Sequence, residues 1–190
     1  MDATTGLDLE ALLAAATAQV VTAVRAVRTA HPDEHVYGAV PHEFYGDGTA
    51  MAWPCVSVGT DESLAAVVAR YADELGMPDR EDALRWSGAD LPYFTEPDAA
   101  QDALAARCQD VAAAAQAVAT EDFVEWDRVY ETYLRVFPRA AAAAREVLVA
   151  DETVDADFVA VAFDEAADLV PLSVTPEQLR QHFPELAADT

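Results

Sequence analysis

The sequence contains no Lys, no Asn and no Ile in 190 residues, and it has only two Cys and seven Gly. All three missing residues depend on A/T-rich codons, so their joint absence indicates a very GC-rich genome. The 11 positive charges therefore all belong to Arg, and 35 acidic residues oppose them for a formal charge of −24. A GC-rich genome should also enrich Arg and Gly, so the acidic excess needs its own explanation. Charge of this sign repels nucleic acid and anionic membranes, and we expect neither as a partner.

The scarcity of cysteine excludes a disulfide framework. Cys55 and Cys108 lie far apart in apolar segments, and the sequence has no CxxC motif and no Cys/His metal spacing. This usage predicts two buried thiols in a reducing cytoplasm. We expect no cofactor.

Long hydrophobic runs are also missing. The longest uncharged run near the N-terminus, Ala11 to Val24, contains Gln19 and two Thr, and no basic segment precedes it. The run is too short and too polar to span a bilayer, so we expect a soluble, unexported protein.

Hydrophobic periodicity in the first half predicts two helices around a β-hairpin. A capping box of Thr5 with Asp8 opens the first helix, which Pro32 ends. Two β-rich runs follow, and a second helix begins after Thr60 and ends at Gly76. The two predicted strands of the hairpin cover His35 to Pro41 and Ala50 to Val58.

The second half predicts more helices and the rest of the sheet. A short strand is expected around Ala83 to Trp86. Helices are expected to begin at Asp98, at Thr120 and at the capping box of Thr175 with Gln178. Further strands are predicted at Asp157 to Asp164 and Leu169 to Val174. The whole chain, residues 1–190, is predicted to form a single α+β domain with a mainly antiparallel sheet of four to five strands, an N-terminal helix, a central helical hairpin and a short C-terminal helix.

Five aromatic residues recur every three or four positions in the helix predicted after Thr120. Such a stripe can form a ligand wall, but at helical spacing it is far more often core, and we interpret it as core. Its members are Phe123, Trp126, Tyr130, Tyr133 and Phe137.

Several landmarks, in order along nearly the whole chain, resemble the bacterial family called domain of unknown function 4303. They are the Tyr-bearing segment Val36–Val40, the helix start Gly59–Glu62, the segment Leu84–Ser87, and Phe163-Asp164 followed by Ser173 and Pro176. The resemblance implies a small cytoplasmic α+β protein without an established reaction. In size and style such proteins are similar to the immunity proteins of bacterial toxin systems.

No motif in the sequence names a reaction. His31, His35, His42, Glu43 and Asp47 form its one cluster with metal-ligand chemistry, but Pro32 breaks the helix that would align the first two histidines. We therefore interpret these histidines as loop and strand-end residues in solvent. Neither Cys nor Ser stands in a nucleophile motif, and no phosphate-binding glycine loop is present. Whether the protein is an enzyme stays open, with a non-catalytic protein favoured.

The acidic residues concentrate in two segments. Residues 61–100 and 151–190 carry a net −16 of the −24, and both hold loops that flank the predicted sheet. If they meet in the fold they form one acidic face that steers a basic partner, such as a toxin. The residues predicted to bind it are Asp79, Glu81, Asp82, Arg85, Trp86, Asp90, Tyr93, Asp151, Glu152, Asp155 and Asp157.

Two other interpretations stay open at this point. The protein can instead be an enzyme or a small-ligand-binding protein with a pocket around Tyr37, Trp53, Arg85 and Trp86. It can also be an acidic structural or regulatory module whose charge serves solubility or adaptation to salt. The sequence leaves the oligomeric state open, and a monomer is slightly favoured.

Overall fold

Within the described residues, four strands form one open sheet that helices cover, as the α+β prediction requires. The computed structural model describes residues 6–77 and 80–188. Within them the elements are α1 Leu9–Ala30, β1 Val36–His42, β2 Cys55–Thr60, α2 Asp61–Leu75, α3 Glu81–Arg85, β3 Tyr93–Thr95, α4 Ala99–Gln116, α5 Val124–Leu134, α6 Val136–Ala150, β4 Val159–Ala160, α7 Val170–Ser173, α8 Pro176–His182 and α9 Pro184–Ala187.

The sheet has the strand order β3-β2-β1-β4. β2 pairs antiparallel with both β1 and β3, whereas β4 pairs parallel with β1. The parallel pairing extends beyond β4, because Val161 N donates to Ala39 O and Phe163 N donates to Pro41 O. All residues of β1 and β2 are buried, so the two central strands carry the core. The mainly antiparallel arrangement is as predicted.

Helix α1 is the long N-terminal element and packs against α6 and the sheet. Its N-cap is Asp8, whose carboxylate accepts from Ala11 N, and the helix ends before Pro32 as expected. The predicted cap residue Thr5 lies outside the described residues. In the described part of the chain, α1 is the one helix long and apolar enough to cross a membrane. Its inner face is buried in the core, and a core helix passes the same length and composition test.

Three other helices begin where the sequence predicted, and each begins at a side-chain cap. Thr60 with Ser63, Asp98 with Gln101 and Thr175 with Gln178 each form reciprocal capping boxes. α2 ends at Gly76, which takes a left-handed conformation at φ 63°.

Two predicted strands are wrong. The segment predicted around Ala83 to Trp86 forms the short helix α3, in which Arg85 pairs with Glu81 one turn earlier. The segment predicted at Leu169 to Val174 contains the helix α7, with Pro171 near its start, where a missing N–H costs nothing. The strand that the sequence missed is β3, which lies between these two in an acidic segment with a proline at either end.

The helix predicted from Thr120 begins later, at Val124, and it breaks at Arg135 into α5 and α6. Of the aromatic stripe, Trp126, Tyr133 and Phe137 are buried and Tyr130 packs against them, so the core interpretation fits four of the five. Phe123 is 52% exposed, and its ring lies over Gly48 instead.

Candidate functional site

His35 lies immediately before β1 and is enclosed by carboxylates. Its Nδ1 is 2.7 Å from Asp61 Oδ2, and its Nε2 is 3.4 Å from Asp155 Oδ2. The hydrogen bond to Asp61 raises the pKa of His35, although partial burial opposes that change. The backbone of His35 is held as well, because His35 N donates to Glu62 Oε2 and His35 O accepts from Asp61 N. The imidazole is therefore fixed against the first turn of α2.

The start of α2 is fixed in turn by Thr60, a fully buried residue at the end of β2. Its hydroxyl accepts from Ser63 N and donates to Glu34 Oε2 at 2.5 Å. One side chain thus caps the helix and anchors the loop between α1 and β1. This double role places Asp61 and Glu62 in the first turn of α2, where the helix dipole favours acidic groups.

Glu34 collects hydrogen bonds from two other elements. Tyr93 Oη donates to both of its carboxylate oxygens at 2.8 Å, and His31 Nδ1 lies 3.3 Å from Oε1. The Thr60 hydroxyl, followed by Tyr93 and His31, lowers the pKa of Glu34 despite partial burial. Burial first, and then Glu34, raises the pKa of Tyr93 to about 12. This network ties the edge strand β3 to the His35 end of the sheet.

Arg85 joins the same surface from α3. Its guanidinium lies 3.7 Å from Asp61 Oδ1 and 2.8 Å from Glu81 Oε1, and it stacks 4.7 Å from the centre of the Tyr37 ring. Tyr37 Oη donates to Arg85 O at 2.8 Å, and Trp86 packs edge-on against Tyr37. Burial is the main cause of the raised pKa of Tyr37. Asp61 therefore lies between His35 and Arg85 and contacts both.

The loop between α6 and β4 supplies the other carboxylates. Arg145 holds its backbone by donating to Ala156 O at 2.6 Å and to Phe158 O at 2.9 Å. Because the loop is held through its carbonyls, its carboxylates stay available on the surface. Asp155 is 78% exposed, and the Asp157 carboxylate makes no hydrogen bond or ion pair with the described residues.

A small depression lies beside His35, with a volume of about 80 Å³. Ligand pockets for organic molecules usually measure about 300–1,000 Å³, whereas one water occupies about 30 Å³. The depression therefore suits an ion or a few waters. Its lining residues are Arg28, His35, Val36, Glu152, Thr153, Val154 and Asp155.

Most of the residues predicted to bind a partner come near this surface. Glu81 and Arg85 reach it from α3, Tyr93 reaches it through Glu34, and the loop before β4 brings three more, whereas Trp86, directly after α3, is buried against Tyr37. Those three are Glu152, Asp155 and Asp157.

Two other predicted site residues, Asp90 and Asp151, make contacts that do not include His35. Asp90 accepts from Tyr71 Oη at 2.5 Å and from Ser87 Oγ at 2.6 Å, which makes it the centre of a turn after α3. Asp151 pairs with Arg25 of α1, and the Thr153 hydroxyl is the largest cause of its lowered pKa. Asp82 is exposed on α3 directly after Glu81, so it belongs to the same surface as Glu81, and Asp79 lies outside the described residues.

The four residues predicted to surround a small-ligand pocket do not all meet. Tyr37, Arg85 and Trp86 come together. Trp53 belongs to another buried cluster, where its Nε1 donates to Gln19 Oε1 at 2.8 Å and its ring packs against Phe137.

The histidine interpretation needs one correction. His31 and His35 are partly exposed as expected, but His42 is only 6% exposed. Its Nε2 lies 2.9 Å from Ser57 Oγ, which donates to Gly88 O, and a side chain at position 88 would collide with the ring. The structure therefore separates His35 from His42, which lie at opposite ends of β1.

The nucleophile candidates are buried or engaged. Cys55 and Cys108 are free, buried thiols as predicted, and burial is the main cause that raises their pKa values to about 12 and about 11. Such thiols are poor nucleophiles at neutral pH. Ser57 is fully buried, and Ser87 is bonded to Asp90.

Sequence reasoning did not name Glu34 or Asp61 as site residues, and it named His35 only within a histidine cluster that it interpreted as lying in solvent. The sequence places Asp61 at the predicted start of a helix and His35 at the predicted start of a strand. The sequence carried no signal that the two places adjoin, because the contact depends on the antiparallel pairing of Val36 with Thr60.

Comparisons with protein-family models, with curated proteins and with solved structures found no match to this chain. The resemblance to the domain of unknown function 4303 stays a prediction. The case for function rests on the geometry around His35.

Proposed function

We propose that this chain is a non-catalytic binding protein that recognises a cationic protein partner through the surface around His35. We call this surface the acidic face and define it by its seven carboxylates. They are Asp61, Glu62, Glu81, Asp82, Glu152, Asp155 and Asp157.

One observation carries the proposal. Residues from the two most acidic segments of the sequence meet at His35, because Asp61 lies on one side of its ring and Asp155 on the other. Arg85 continues the chain of contacts from Asp61 to Glu81. Segments about 90 residues apart in sequence thus contribute to one surface, as expected if their charge serves a common partner.

The acidic face keeps much of its charge accessible. Asp61 and Glu81 have side chains that are 50% and 61% exposed, and Asp155 is more exposed still. Carboxylates in this arrangement raise the association rate of a cationic partner, and this electrostatic attraction weakens as the salt concentration rises. The partly buried ring of Tyr93, held by Glu34, adds an aromatic contact of the kind enriched in interfaces.

A basic bacterial toxin is the kind of partner that fits best. An immunity protein has to bind tightly, has no reaction to perform and must compete with the nucleic acid or other anion that a basic toxin engages. The free, buried Cys55 and Cys108 fit a protein that works in a reducing cytoplasm. We therefore propose a cytoplasmic immunity protein that acts as a monomer.

The experiment measures binding to toxin-like proteins encoded beside the gene of this chain, by calorimetry in a chelating buffer. Reversal of two charges in each acidic segment, E81K/D82K and D155K/D157K, should weaken binding at least ~10-fold, since buried or close charge pairs at interfaces contribute more than ~1.4 kcal/mol. Raising the salt concentration should weaken the binding of the wild type more than that of either variant.

E121K/D122K is the matched control. Glu121 and Asp122 lie in the loop before α5, next to Phe123, whose ring covers Gly48 at the other end of the sheet. The same charge change there should leave affinity nearly intact. If the control weakens binding as much as the variants of the acidic face, net charge alone explains the interaction and the acidic face is not the binding surface.

A further inference from the structure

His35, Asp155 and Asp157 each place one potential ligand atom within 4.8 Å of the other two. We propose that these three side chains bind one divalent first-row transition-metal cation of the zinc class. The site is independent of the proposed function, because it needs no residue outside this chain.

Asp61 orients the imidazole for this role. Its Oδ2 lies 2.7 Å from His35 Nδ1, so that nitrogen donates its hydrogen to Asp61 and Nε2 is directed at the loop before β4. Histidine ligands of metals almost always donate their other ring N–H to a carboxylate, a backbone carbonyl or a water, which fixes the ring and raises its basicity. Nε2, 3.4 Å from Asp155 Oδ2, is then the nitrogen that can coordinate a cation, and any proton on it leaves for solvent when the cation binds.

The two aspartates are available as ligands because other groups hold their loop. Arg145 bonds the carbonyls of Ala156 and Phe158, and Phe158 N donates to Asp155 O. The turn therefore keeps its shape without help from the carboxylates. Asp157 has no competing partner among the described residues, and Asp155 has only the distant contact to His35.

The ligand set favours a transition metal over calcium or magnesium. Calcium and magnesium prefer oxygen ligands alone, whereas one imidazole nitrogen with two carboxylate oxygens suits zinc and its neighbours. Three protein ligands leave positions for water. The adjoining depression of about 80 Å³, lined in part by Glu152 and Thr153, has room for about two waters.

Asp157 offers the sharpest test, because its replacement disturbs no bond within the described residues. Zn²⁺ is titrated by calorimetry into chelator-stripped protein at pH 7.5. The wild type should bind one Zn²⁺ above the weak background of its acidic surface, D157N should bind it at least ~10-fold more weakly, and H35Q should lose the site. D122N makes the same chemical change at an exposed aspartate at the other end of the sheet, and it should bind like the wild type.

Asp61 acts as a positioning residue, so its role is tested by variants that keep or remove its hydrogen bond to His35 Nδ1. D61A should weaken Zn²⁺ binding about 10- to 100-fold. D61N should recover most of that loss, because its amide oxygen still accepts from Nδ1. Nitrogen NMR of His35 should show the Nδ1–H tautomer in the zinc complex of the wild type and of D61N.

Addition of Mn²⁺ in small amounts locates the metal site by NMR. The backbone amide signals of residues 35 and 155–157 should broaden first, before those of residues 47–49 around the exposed Asp47. The proposal is overturned if D157N and D122N bind Zn²⁺ equally, if equimolar Ca²⁺ displaces Zn²⁺, or if broadening spreads evenly over the acidic residues. Partner binding is measured with a chelator present, so failure of either proposal leaves the other standing.

Discussion

Tyr93 donates its phenolic hydrogen to both carboxylate oxygens of Glu34 at 2.8 Å, and this contact joins the edge strand β3 to the loop between α1 and β1. The same carboxylate accepts from Thr60, the cap of α2. Three elements that are distant in sequence thus share one half-buried acid. Their common contact holds the His35 end of the sheet together.

Replacement of Tyr93 by Phe should destabilise the fold by about 1–2 kcal/mol, because a hydrogen bond to a charged group is lost while the ring stays. Urea unfolding followed by circular dichroism measures the change. Y45F is the matched control, since Tyr45 also donates to a carboxylate, Asp47, but is exposed and lies within one loop. A loss in Y45F as large as in Y93F would contradict a special role for the bond to Glu34.

Gln19 is a buried polar residue on the apolar face of α1. Its amide accepts from Trp53 Nε1 at 2.8 Å and donates to Pro54 O at 3.0 Å. Q19M keeps the volume but leaves both partners unpaired in the core, so it should cost about 2–3 kcal/mol. Adding W53F should cost less in the Q19M background than in the wild type, because the unpaired indole N–H is gone. A purely additive double-mutant cycle from thermal or urea unfolding would contradict this coupling.

The contrast between Gln19 and the capping boxes shows what the sequence reveals. Thr60, Asp98 and Thr175 were predicted as helix caps from residues within three positions of them, and all three were confirmed. Gln19 looked like a polar interruption of an apolar run, because its partners lie 34 and 35 residues later. Local chemistry is visible in the sequence, whereas satisfaction of a buried group by a distant one is not.

The same distinction explains the candidate site. The sequence located both acidic segments, but their meeting at His35 depends on strand register and on the loop that Arg145 holds. It also predicted a strand at Leu169 to Val174, as the neighbour of the strand at Asp157 to Asp164. In the fold, Ser173 accepts from Ala162 N and donates to Leu169 O, which satisfies the sheet backbone without another strand.

Two glycines with positive φ differ in what an added side chain would meet, so their alanine variants compare the cost of backbone strain with the cost of a steric collision. Gly76 ends α2 at φ 63° with open space where a Cβ would lie, so G76A should cost about 1 kcal/mol from conformation alone. Gly48 has φ 87°, and a Cβ there would collide with the Phe123 ring, so G48A should cost more. Unfolding midpoints of the two variants test this order. The double variant G48A/F123A should lose the collision, and a G48A penalty unchanged by F123A would contradict the role of the ring.

His42 should make stability depend on pH in the acidic range. Burial lowers its pKa in the folded state below the ordinary value of about 6.5, while Glu43 opposes the change weakly. The unfolded chain therefore takes up a proton first as pH falls, and protonation favours unfolding. The contribution of neutral His42 is fully present above about pH 6.5, and it is lost as pH falls from there towards the lowered pKa.

H42Q removes this titration along with the bond to Ser57. At pH 7.5 the variant should be less stable than the wild type by about 1–3 kcal/mol, because Ser57 loses a buried partner. The difference should narrow as pH falls from 6.5 to 5, since the wild type then loses stability that H42Q no longer has. The raised pKa of His35 acts in the opposite direction above pH 6.5 but is present in both proteins, so it cancels in the difference.

H182Q is the comparison variant, because burial also lowers the pKa of the less deeply buried His182. Urea unfolding of all three proteins is measured at steps of half a pH unit from pH 5 to 8. If the difference in unfolding free energy between the wild type and H42Q stays constant with pH, His42 does not titrate differently in the folded and unfolded states.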